Sequence, residues 1–315
     1  MTSESFPTQT PKSPERTHWK IRRAALEWDN YVNWCRGTNG FWIYKYRHKA
    51  ILLFGTLLKA TGFFKYGYRN ARKIHVCYVD ISPKALPEEF RGYRILHLSD
   101  LHLDSMEGLG MHIARTITPL SYDLCVITGD FRYARHGAYK QIIEPLRLVV
   151  EAARTATDDV YGVLGNHDTQ AMREDIERLG LHLLTNESVS VVRNGQRMHI
   201  IGVDDPHDYF TEKAAECVKN SPRDGFRLLL AHSPELYDLA SANGIQLYLC
   251  GHSHGGQICF PGGYPLITNL DQGKRFYRGL WRFRDMIGHT SPGCGTAKIP
   301  IRFNCRPEVT VLTLK

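Results

Sequence analysis

Short apolar runs alternate with amphipathic stretches from residue 76 to the end of the chain. Seven runs have the length and residue types of buried β-strands: 94–99, 123–128, 159–164, 226–231, 245–250, 257–260 and 308–314. The segment 188–203 predicts a hairpin that turns at Asn194-Gly195, because this dipeptide suits a type I′ turn. Amphipathic periodicity predicts the helices, at 107–119, 138–155, 170–179, 211–219 and 234–242. This alternation predicts an α/β domain with a mixed sheet system over residues 76–315.

The N-terminal part of the chain has a different pattern. Residues 1–17 are polar and rich in Ser, Thr and Pro, which predicts a disordered tail. Residues 18–75 interleave aromatic, apolar and basic residues and predict a basic amphipathic extension. Its most apolar part, 50–64, is interrupted by Lys59 and is shorter than the roughly 20 apolar residues that a membrane span needs. We expect an interfacial helix on anionic lipid, with a helix packed on the following domain or a true span as alternatives.

Charge is distributed unevenly along the chain. Residues 1–75 contain 14 Lys or Arg and 4 Asp or Glu, a net charge of +10, whereas the remaining residues carry −2. This asymmetry predicts an anionic membrane surface as partner and makes nucleic acid an unfavoured one, because tracking a phosphate backbone requires a basic groove. No apolar signal segment is visible, and the eight cysteines form no Cys-x-x-Cys pair. We therefore expect reduced thiols in a cytoplasmic protein, peripherally attached to the inner face of the cell membrane. The sequence indicates no protein partner.

Polar side chains follow five of the predicted strands directly. In chain order they are Asp100 and His102, Asp130, Asn166 and His167, His232, and His252 and His254. Ligands of open α/β sheets bind at the carboxyl ends of the strands, so these side chains are expected to converge. Carboxylates, an amide and imidazoles without a thiolate suit Mn²⁺ first, with Fe, Zn or Co as alternatives. With His167 in reserve, the other seven ligands exceed one tetrahedral site and, with one bridging carboxylate, predict two divalent metal ions roughly 3.5–4 Å apart.

The ordered motifs D-x-H, G-D, G-N-H-D, H and G-H-x-H resemble those of the calcineurin-like metallophosphoesterase superfamily over about residues 90–315. The resemblance implies an αββα sandwich of two sheets flanked by helices, and hydrolysis of a phosphate ester or pyrophosphate by a hydroxide bound between the metal ions. It implies a first metal ion held by Asp100, His102, Asp130 and His254. It implies a second metal ion held by Asp130 (bridging), Asn166, His232 and His252. His167 would lie beside the scissile phosphate as a proton donor or charge stabiliser.

One position departs from the family pattern. Many members carry an acidic residue three positions after the Asp of the G-D motif, where this chain has Tyr133. That carboxylate is either missing or supplied by Asp104 or Asp168. Arg132 and Arg135 are candidates to bind the substrate phosphate, and solvated surface arginines are the alternative.

Two further segments, 251–263 and 291–314, resemble the bacterial subgroup of YkuE- and YaeI-type phosphohydrolases. The UDP-2,3-diacylglucosamine hydrolases of lipid A synthesis share the metal motifs. The basic extension and the basic, aromatic stretch 273–284 favour a membrane-associated substrate such as a lipid phosphate or UDP-2,3-diacylglucosamine. An amphipathic strand or loop over the site is the alternative explanation of 273–284. Hydrolysis of soluble nucleotides or nucleic acid, and a non-enzymatic membrane-bound scaffold, are the other hypotheses.

Overall fold

The computed structural model of the protein describes residues 14–36, 53 and 55–315. Helix α1 covers Pro14–Arg36 and so begins inside the predicted tail 1–17, whose other residues lie outside the described part. Residues 55–60 are also helical, and helix α2 covers Phe63–Ala71. The predicted helix 50–64 is interrupted within its described part, because Gly62 adopts φ 77° and α2 begins as a separate helix after it. Among the described helices, none combines the length and the apolar character that crossing a membrane requires.

Twelve strands form two sheets. In chain order they are β1 His75–Ile81, β2 Arg94–Leu98, β3 Leu124–Thr128, β4 Val160–Val163, β5 His182–Leu183, β6 Glu187–Arg193, β7 Gln196–Gly202, β8 Phe226–Leu230, β9 Leu247–Cys250, β10 Gly279–Phe283, β11 Met286–Thr290 and β12 Glu308–Leu314. The first sheet has the order β1-β12-β2-β3-β4-β5, and the second has the order β10-β11-β9-β8-β7-β6. Strands β2, β3 and β4 run parallel, as do β7, β8 and β9. Each parallel group therefore ends at one edge of its sheet, and the polar residues identified above follow these ends.

Helices cover the outer face of each sheet. They are α3 Leu109–Ile117, α4 Ile143–Arg154, α5 Arg173–Arg178, α6 Glu212–Asn220 and α7 Tyr237–Ala242. In β2, Ile95 points between the sheets and packs in the cluster that contains Leu228 of β8, whereas Leu96 packs in the cluster with Ile113 of α3. The alternation arises because successive side chains of a strand point to opposite faces. The central strands are buried on both faces, as in β3, β8 and β9, and the result is the predicted αββα sandwich.

Most of the predicted elements are confirmed. The hairpin turns at Asn194-Gly195, where both residues have positive φ, and the last strand ends at Leu314 as expected. The strand predicted at 257–260 is wrong, because this segment forms only isolated bridges, from Ile258 to Phe303 and from Cys259 to Pro265. Strands β1, β5 and β11 are not among the predicted elements, and β10 lies in 273–284, where an amphipathic strand or loop is the alternative prediction. The eight cysteines are free thiols, in agreement with the absence of a disulfide framework.

The N-terminal helix α1 packs on the sandwich and is not an isolated extension. Trp19 is 8% exposed and belongs to the hydrophobic core on the outer face of the first sheet. Its indole Nε1 donates a hydrogen bond to Asp204 Oδ2 at 2.8 Å. Arg23 is 1% exposed and forms an ion pair with the same carboxylate. Part of the segment predicted as an amphipathic extension is therefore integral to the folded domain.

Candidate metal centre

The structure brings together the side chains that sequence analysis placed at the strand ends. Each lies in the first residues after a strand: Asp100 and His102 after β2, Asp130 after β3, Asn166 and His167 after β4, His232 after β8, and His252 and His254 after β9. Three overlapping groups of them can each surround one cation. Two are fully buried at the edge where the two sets of parallel strands end, and the other consists of His102, Asp130 and the partly exposed His167.

The first group consists of Asp100, His102 and His254, whose ligand atoms all lie within 4.8 Å of one another. The Nε2 atoms of His102 and His254 are 3.1 Å apart, and the two rings are stacked. His254 Nε2 also lies 3.5 Å from Asp100 Oδ1. Two imidazole nitrogens and a carboxylate oxygen thus face one small volume.

The second group consists of Asp100, Asp130 and His232, and it shares Asp100 with the first. Asp130 Oδ2 lies 3.3 Å from His232 Nε2 and 3.5 Å from His102 Nε2. One carboxylate oxygen is therefore in reach of a histidine from each side of the centre.

Asn166 and His252 complete the second side. The Asn166 side-chain oxygen lies 3.2 Å from His252 Nδ1. The Asn166 amide nitrogen donates to Asp208 Oδ2 at 3.1 Å, which orients the oxygen toward the centre. The ring of His252 lies 5.1 Å from that of His232, edge to face.

Backbone carbonyls fix the orientation of three of these histidines. His102 Nδ1 donates to the Arg132 carbonyl at 2.8 Å, His232 Nδ1 to the Thr128 carbonyl at 2.7 Å, and His252 Nε2 to the Asn269 carbonyl at 3.0 Å. In the neutral form of each imidazole the other nitrogen carries a lone pair and points into the centre. Metal-binding histidines in proteins show this same arrangement.

The donor set fits divalent transition-metal ions. The Nε2 atom of His232 is buried 3.3 Å from Asp130 Oδ2 and has no hydrogen-bond partner of good geometry. Buried polar atoms are nearly always satisfied, so this imidazole nitrogen beside carboxylates fits the role of a cation ligand. Mixed oxygen and nitrogen ligands without thiolate are those expected of Mn, Fe, Zn or Co sites.

The electrostatics of the centre agree with this fit. Burial opposes the ionised form of Asp130, but the nearby imidazoles, led by His232, outweigh it and hold the pKa of Asp130 well below its usual range. Burial likewise opposes protonation of His232, yet the Asp130 carboxylate raises the pKa of His232 well above its usual range. A proton on His232 thus occupies the position that a cation would take. Burial lowers the pKa of His252 and of His254 well below the usual range, which favours the neutral form that binds metal ions.

The backbone of the centre is held in unusual conformations. Several of the converging residues have positive φ: Asp100, His102, Asp130, His252 and His254. Residues other than glycine rarely adopt positive φ, and those that do are concentrated at functional sites. Glycine is required where the backbones approach most closely, since a Cβ on Gly165 would lie 2.2 Å from Asp130 Oδ1. A Cβ on Gly251 would lie 2.3 Å from Asp100 Oδ2.

His167 lies at the open side of the centre. Its side chain is 16% exposed, and its Nε2 atom is 4.0 Å from Asp130 Oδ2. Its Nδ1 atom donates to the Tyr133 carbonyl. Burial is the largest influence on this imidazole and lowers the pKa of His167 to about 3, against the attraction of Asp130. The neutral ring therefore presents a lone pair on Nε2 toward the space above Asp130.

The two arginines proposed from sequence have different environments. Arg132 is 1% exposed, and its guanidinium donates to the carbonyls of His167, Gly137 and Arg135 at 2.7–3.1 Å. These contacts occupy the guanidinium, so we do not propose Arg132 as a phosphate contact. The Arg135 side chain is 41% exposed and pairs with Asp208, the residue that orients Asn166.

Asp104 and Asp168 are the two carboxylates considered as replacements for an acidic residue at the position of Tyr133. Both accept hydrogen bonds from backbone amides. Asp104 accepts hydrogen bonds from the amides of Tyr133 and Ala134. Asp168 accepts from the amides of Asp130 at 2.8 Å and of Gly165 at 2.8 Å. The two acids thus hold the loops that carry the centre, in place of the acidic residue common in the family.

Two buried arginines were missed by sequence analysis. Arg23 of α1 donates to the carbonyls of Gly165 at 3.3 Å and Asp168 at 2.9 Å, on either side of Asn166 and His167. Arg302 is fully buried and donates to a set of carbonyls around the other side of the centre, those of His254, Pro292, Gly293 and Gly295. The sequence offers no local signal for either role, because both residues act across large sequence separations.

A separate group near the centre contains an ion pair. His207 Nδ1 lies 3.1 Å from both carboxylate oxygens of Glu235, and its ring lies 4.3 Å from that of His252. Asp271 completes a set of ligand atoms within 4.8 Å. Burial opposes protonation of His207, but the hydrogen bond to Glu235 outweighs it and raises the pKa of His207 to about 9. His207 is therefore protonated at neutral pH and donates to Glu235.

Comparison with known proteins agrees with this geometry. The chain is 30% identical to YkoQ, an uncharacterized metallophosphoesterase of Bacillus subtilis (strain 168), over 83% of this chain and 98% of that protein. It is 29% identical to YkuE, another uncharacterized metallophosphoesterase of that organism, over 84% of this chain and 95% of that protein. It is 29% identical to the phosphodiesterase YaeI of Escherichia coli (strain K12), over 70% of this chain and 82% of that protein.

The family profile described as calcineurin-like phosphoesterase matches residues 93–256. This range begins just before β2 and contains every converging residue from Asp100 to His254. The resemblance identified from the ordered motifs is thereby confirmed. The chain belongs to the calcineurin-like phosphoesterase family and is a metal-dependent phosphoric ester hydrolase.

Proposed function

We propose that the protein is a dimetal phosphohydrolase that cleaves a phosphodiester or pyrophosphate of a membrane-associated substrate. The observation that carries the dimetal part is the position of Asp130 Oδ2, between His102 Nε2 at 3.5 Å and His232 Nε2 at 3.3 Å. The relative YaeI, a phosphodiesterase, supports the diester class.

The ligands divide into two sets that share one carboxylate. We assign Asp100, His102, Asp130 and His254 to the first ion, and Asp130, Asn166, His232 and His252 to the second. When bound, the two divalent ions would activate water and neutralise charge on the phosphate oxygens. We propose Mn²⁺ as the native ion because the donors are oxygen and imidazole nitrogen, and Fe, Zn and Co have compatible ligand preferences.

His167 is the proposed proton donor or charge stabiliser. Its Nδ1 proton is committed to the Tyr133 carbonyl, so only Nε2 can reach a substrate. A neutral Nε2 accepts a proton and cannot give one. The negative charge of a bound phosphate would raise the pKa of His167 and let Nε2 carry the proton that the leaving oxygen receives.

Arg135 is the proposed substrate contact. Its guanidinium is partly exposed beside the centre and is held by Asp208, which also contacts Asn166. A guanidinium in this position can form paired hydrogen bonds with phosphate oxygens. It would contribute to substrate binding without ligating an ion.

The membrane-associated substrate and the location follow from the N-terminal segment. Residues 1–75 carry a net charge of +10, and anionic lipids of the inner leaflet attract such basic segments. Large apolar side chains of the described part are exposed beside these charges, with Leu53 at 73% and Leu57 at 60%. We propose peripheral attachment to the cytoplasmic face of the membrane, with a lipid phosphate or UDP-2,3-diacylglucosamine as substrate.

A hydrolysis screen tests the proposal. Protein reconstituted with Mn²⁺ would be assayed with p-nitrophenyl mono- and diesters, soluble nucleotides, lipid phosphates and UDP-2,3-diacylglucosamine. We expect hydrolysis of the diester and a preference for a lipid-linked substrate. Asp130→Asn should abolish activity, whereas the exposed Asp224→Asn should not. A preference for soluble nucleotides over every lipid-linked compound would refute the membrane-substrate part.

A further inference from the structure

Two segments of the described chain expose large apolar side chains on one side of the domain. The first segment is 53–66, where Leu53, Leu57, Phe63 and Tyr66 are 51–73% exposed. The second, termed the 258–268 loop, follows the metal-binding turn at His254. It exposes Phe260, Tyr264, Leu266 and Ile267 at 50–71%. Clusters of exposed apolar side chains are uncommon on water-facing surfaces and mark interaction sites.

Phe303 contacts both segments. The ring of Tyr66 lies 6.0 Å from that of Phe303. Phe303 in turn accepts a hydrogen bond from the Cys259 amide at 2.9 Å and donates to the Gln257 carbonyl at 3.1 Å. Segment 53–66, residue Phe303 and the start of the 258–268 loop are therefore neighbours, and their exposed side chains border one surface.

The 258–268 loop has a closed backbone. The Phe260 amide donates to the Tyr264 carbonyl at 2.8 Å, and the Leu266 amide donates to the Ile258 carbonyl at 3.1 Å. The turn between them contains Gly262 and Gly263, both with positive φ. These hydrogen bonds pair part of the loop's backbone, which lowers the cost of moving the loop into an apolar phase.

The segments that border this surface carry charge of one sign, and the exposed Asp271 follows just after them. The segments 53–73, 257–270 and 295–306 contain no Asp or Glu. They carry exposed basic residues, among them Lys59, Lys65, Arg69, Lys298 and Arg306. Apolar side chains bordered by basic ones match a bilayer with an apolar interior and anionic headgroups.

We propose that the 258–268 loop inserts into an anionic lipid bilayer together with the exposed face of 53–66. The loop is fixed to the metal centre, because the Asn269 carbonyl just after it accepts the hydrogen bond from His252 Nε2 at 3.0 Å. Insertion therefore places the metal centre at the lipid surface. The lipid-linked substrate rests on the proposed function, whereas binding to the bilayer does not.

Vesicle binding of the full chain tests the proposal. Vesicles of phosphatidylcholine with phosphatidylglycerol would be compared with phosphatidylcholine alone. We expect the double variant Leu266→Ser/Ile267→Ser to bind anionic vesicles at least tenfold more weakly than the wild type. The matched control is Val192→Ser. Val192 is 56% exposed, close to the 57% of Leu266, and it lies outside both segments, on the edge strand β6 of the second sheet. In Leu266→Trp, the indole fluorescence should shift to shorter wavelength on adding anionic vesicles.

The outcomes separate this proposal from the proposed function. Equal binding by the double variant and the wild type, or equal binding of the wild type to neutral and anionic vesicles, would overturn the proposal. Loss of vesicle binding with unchanged hydrolysis of a soluble p-nitrophenyl diester supports it. Normal vesicle binding that depends on Leu266 and Ile267, in a protein that hydrolyses no ester, supports it as well and refutes the proposed function alone.

Discussion

The Arg23 guanidinium donates to the Asp168 carbonyl at 2.9 Å, which joins the first helix of the chain to the loop that carries Asn166 and His167. The same guanidinium pairs with Asp204 and lies 3.4 Å from the centre of the Tyr209 ring. Helix α1 therefore holds in place the loop that carries Asn166 and His167, in addition to any role at the membrane.

Substitution of Arg23 should affect both stability and rate. Arg23→Gln leaves the Asp204 carboxylate buried without its cation, and breaking a buried pair typically costs about 3–5 kcal/mol. We expect a free energy of unfolding lower by about that amount, measured by denaturant titration. Turnover of a p-nitrophenyl diester should also fall, because the loop with Asn166 loses its support.

The conservative variant Arg23→Lys separates charge from geometry. Lysine restores the charge beside Asp204 but cannot reproduce the planar set of donors to the Gly165 and Asp168 carbonyls. Stability should recover more than turnover does. Full recovery of both would show that only the charge of Arg23 matters.

Replacement of His167 should slow the chemical step without removing metal. General acid catalysis is typically worth about 10²–10⁴-fold, so His167→Ala should lower kcat by a factor in that range. Metal content, measured by plasma mass spectrometry, should stay at the wild-type value. A parallel loss of metal and rate would instead identify His167 as a ligand.

The two neighbouring arginines should give opposite phenotypes. Arg135→Gln should raise KM for a phosphodiester by about tenfold or more, because a hydrogen bond to a charged group contributes about 1.5–3 kcal/mol. Its thermal stability should change little. Arg132→Gln should lower the melting temperature, because three carbonyls lose their donor. An unchanged KM in Arg135→Gln would remove Arg135 from the substrate site.

Much of the centre could be predicted because its ligands are coded locally. Each ligand directly follows an apolar strand, and parallel strands must bring such positions to one edge. Asp100 and His252 are 152 positions apart in the chain, yet each follows a strand that ends at this edge.

The missed features depend on long-range packing. Arg23 and Arg302 look like surface residues in sequence, because a buried arginine is stable only when carbonyls or carboxylates elsewhere in the fold surround it. The apolar run at 257–260 predicts a strand. In the structure it lies on a loop, where Phe260 is 59% exposed. The basic, aromatic segment that forms β10 lacked a continuous apolar run, and Trp281 alone of its side chains is buried.

The metal content of the reconstituted protein tests the central claim most directly. Protein stripped with a chelator, reloaded with Mn²⁺ and freed of excess ion would be analysed by plasma mass spectrometry, with Asp130→Asn as the matched variant. The shared position of Asp130 predicts about two Mn²⁺ per wild-type chain and a clear loss of bound metal in the variant. One ion or none in a folded wild-type protein, or full hydrolytic activity in the stripped protein, would contradict a dimetal centre.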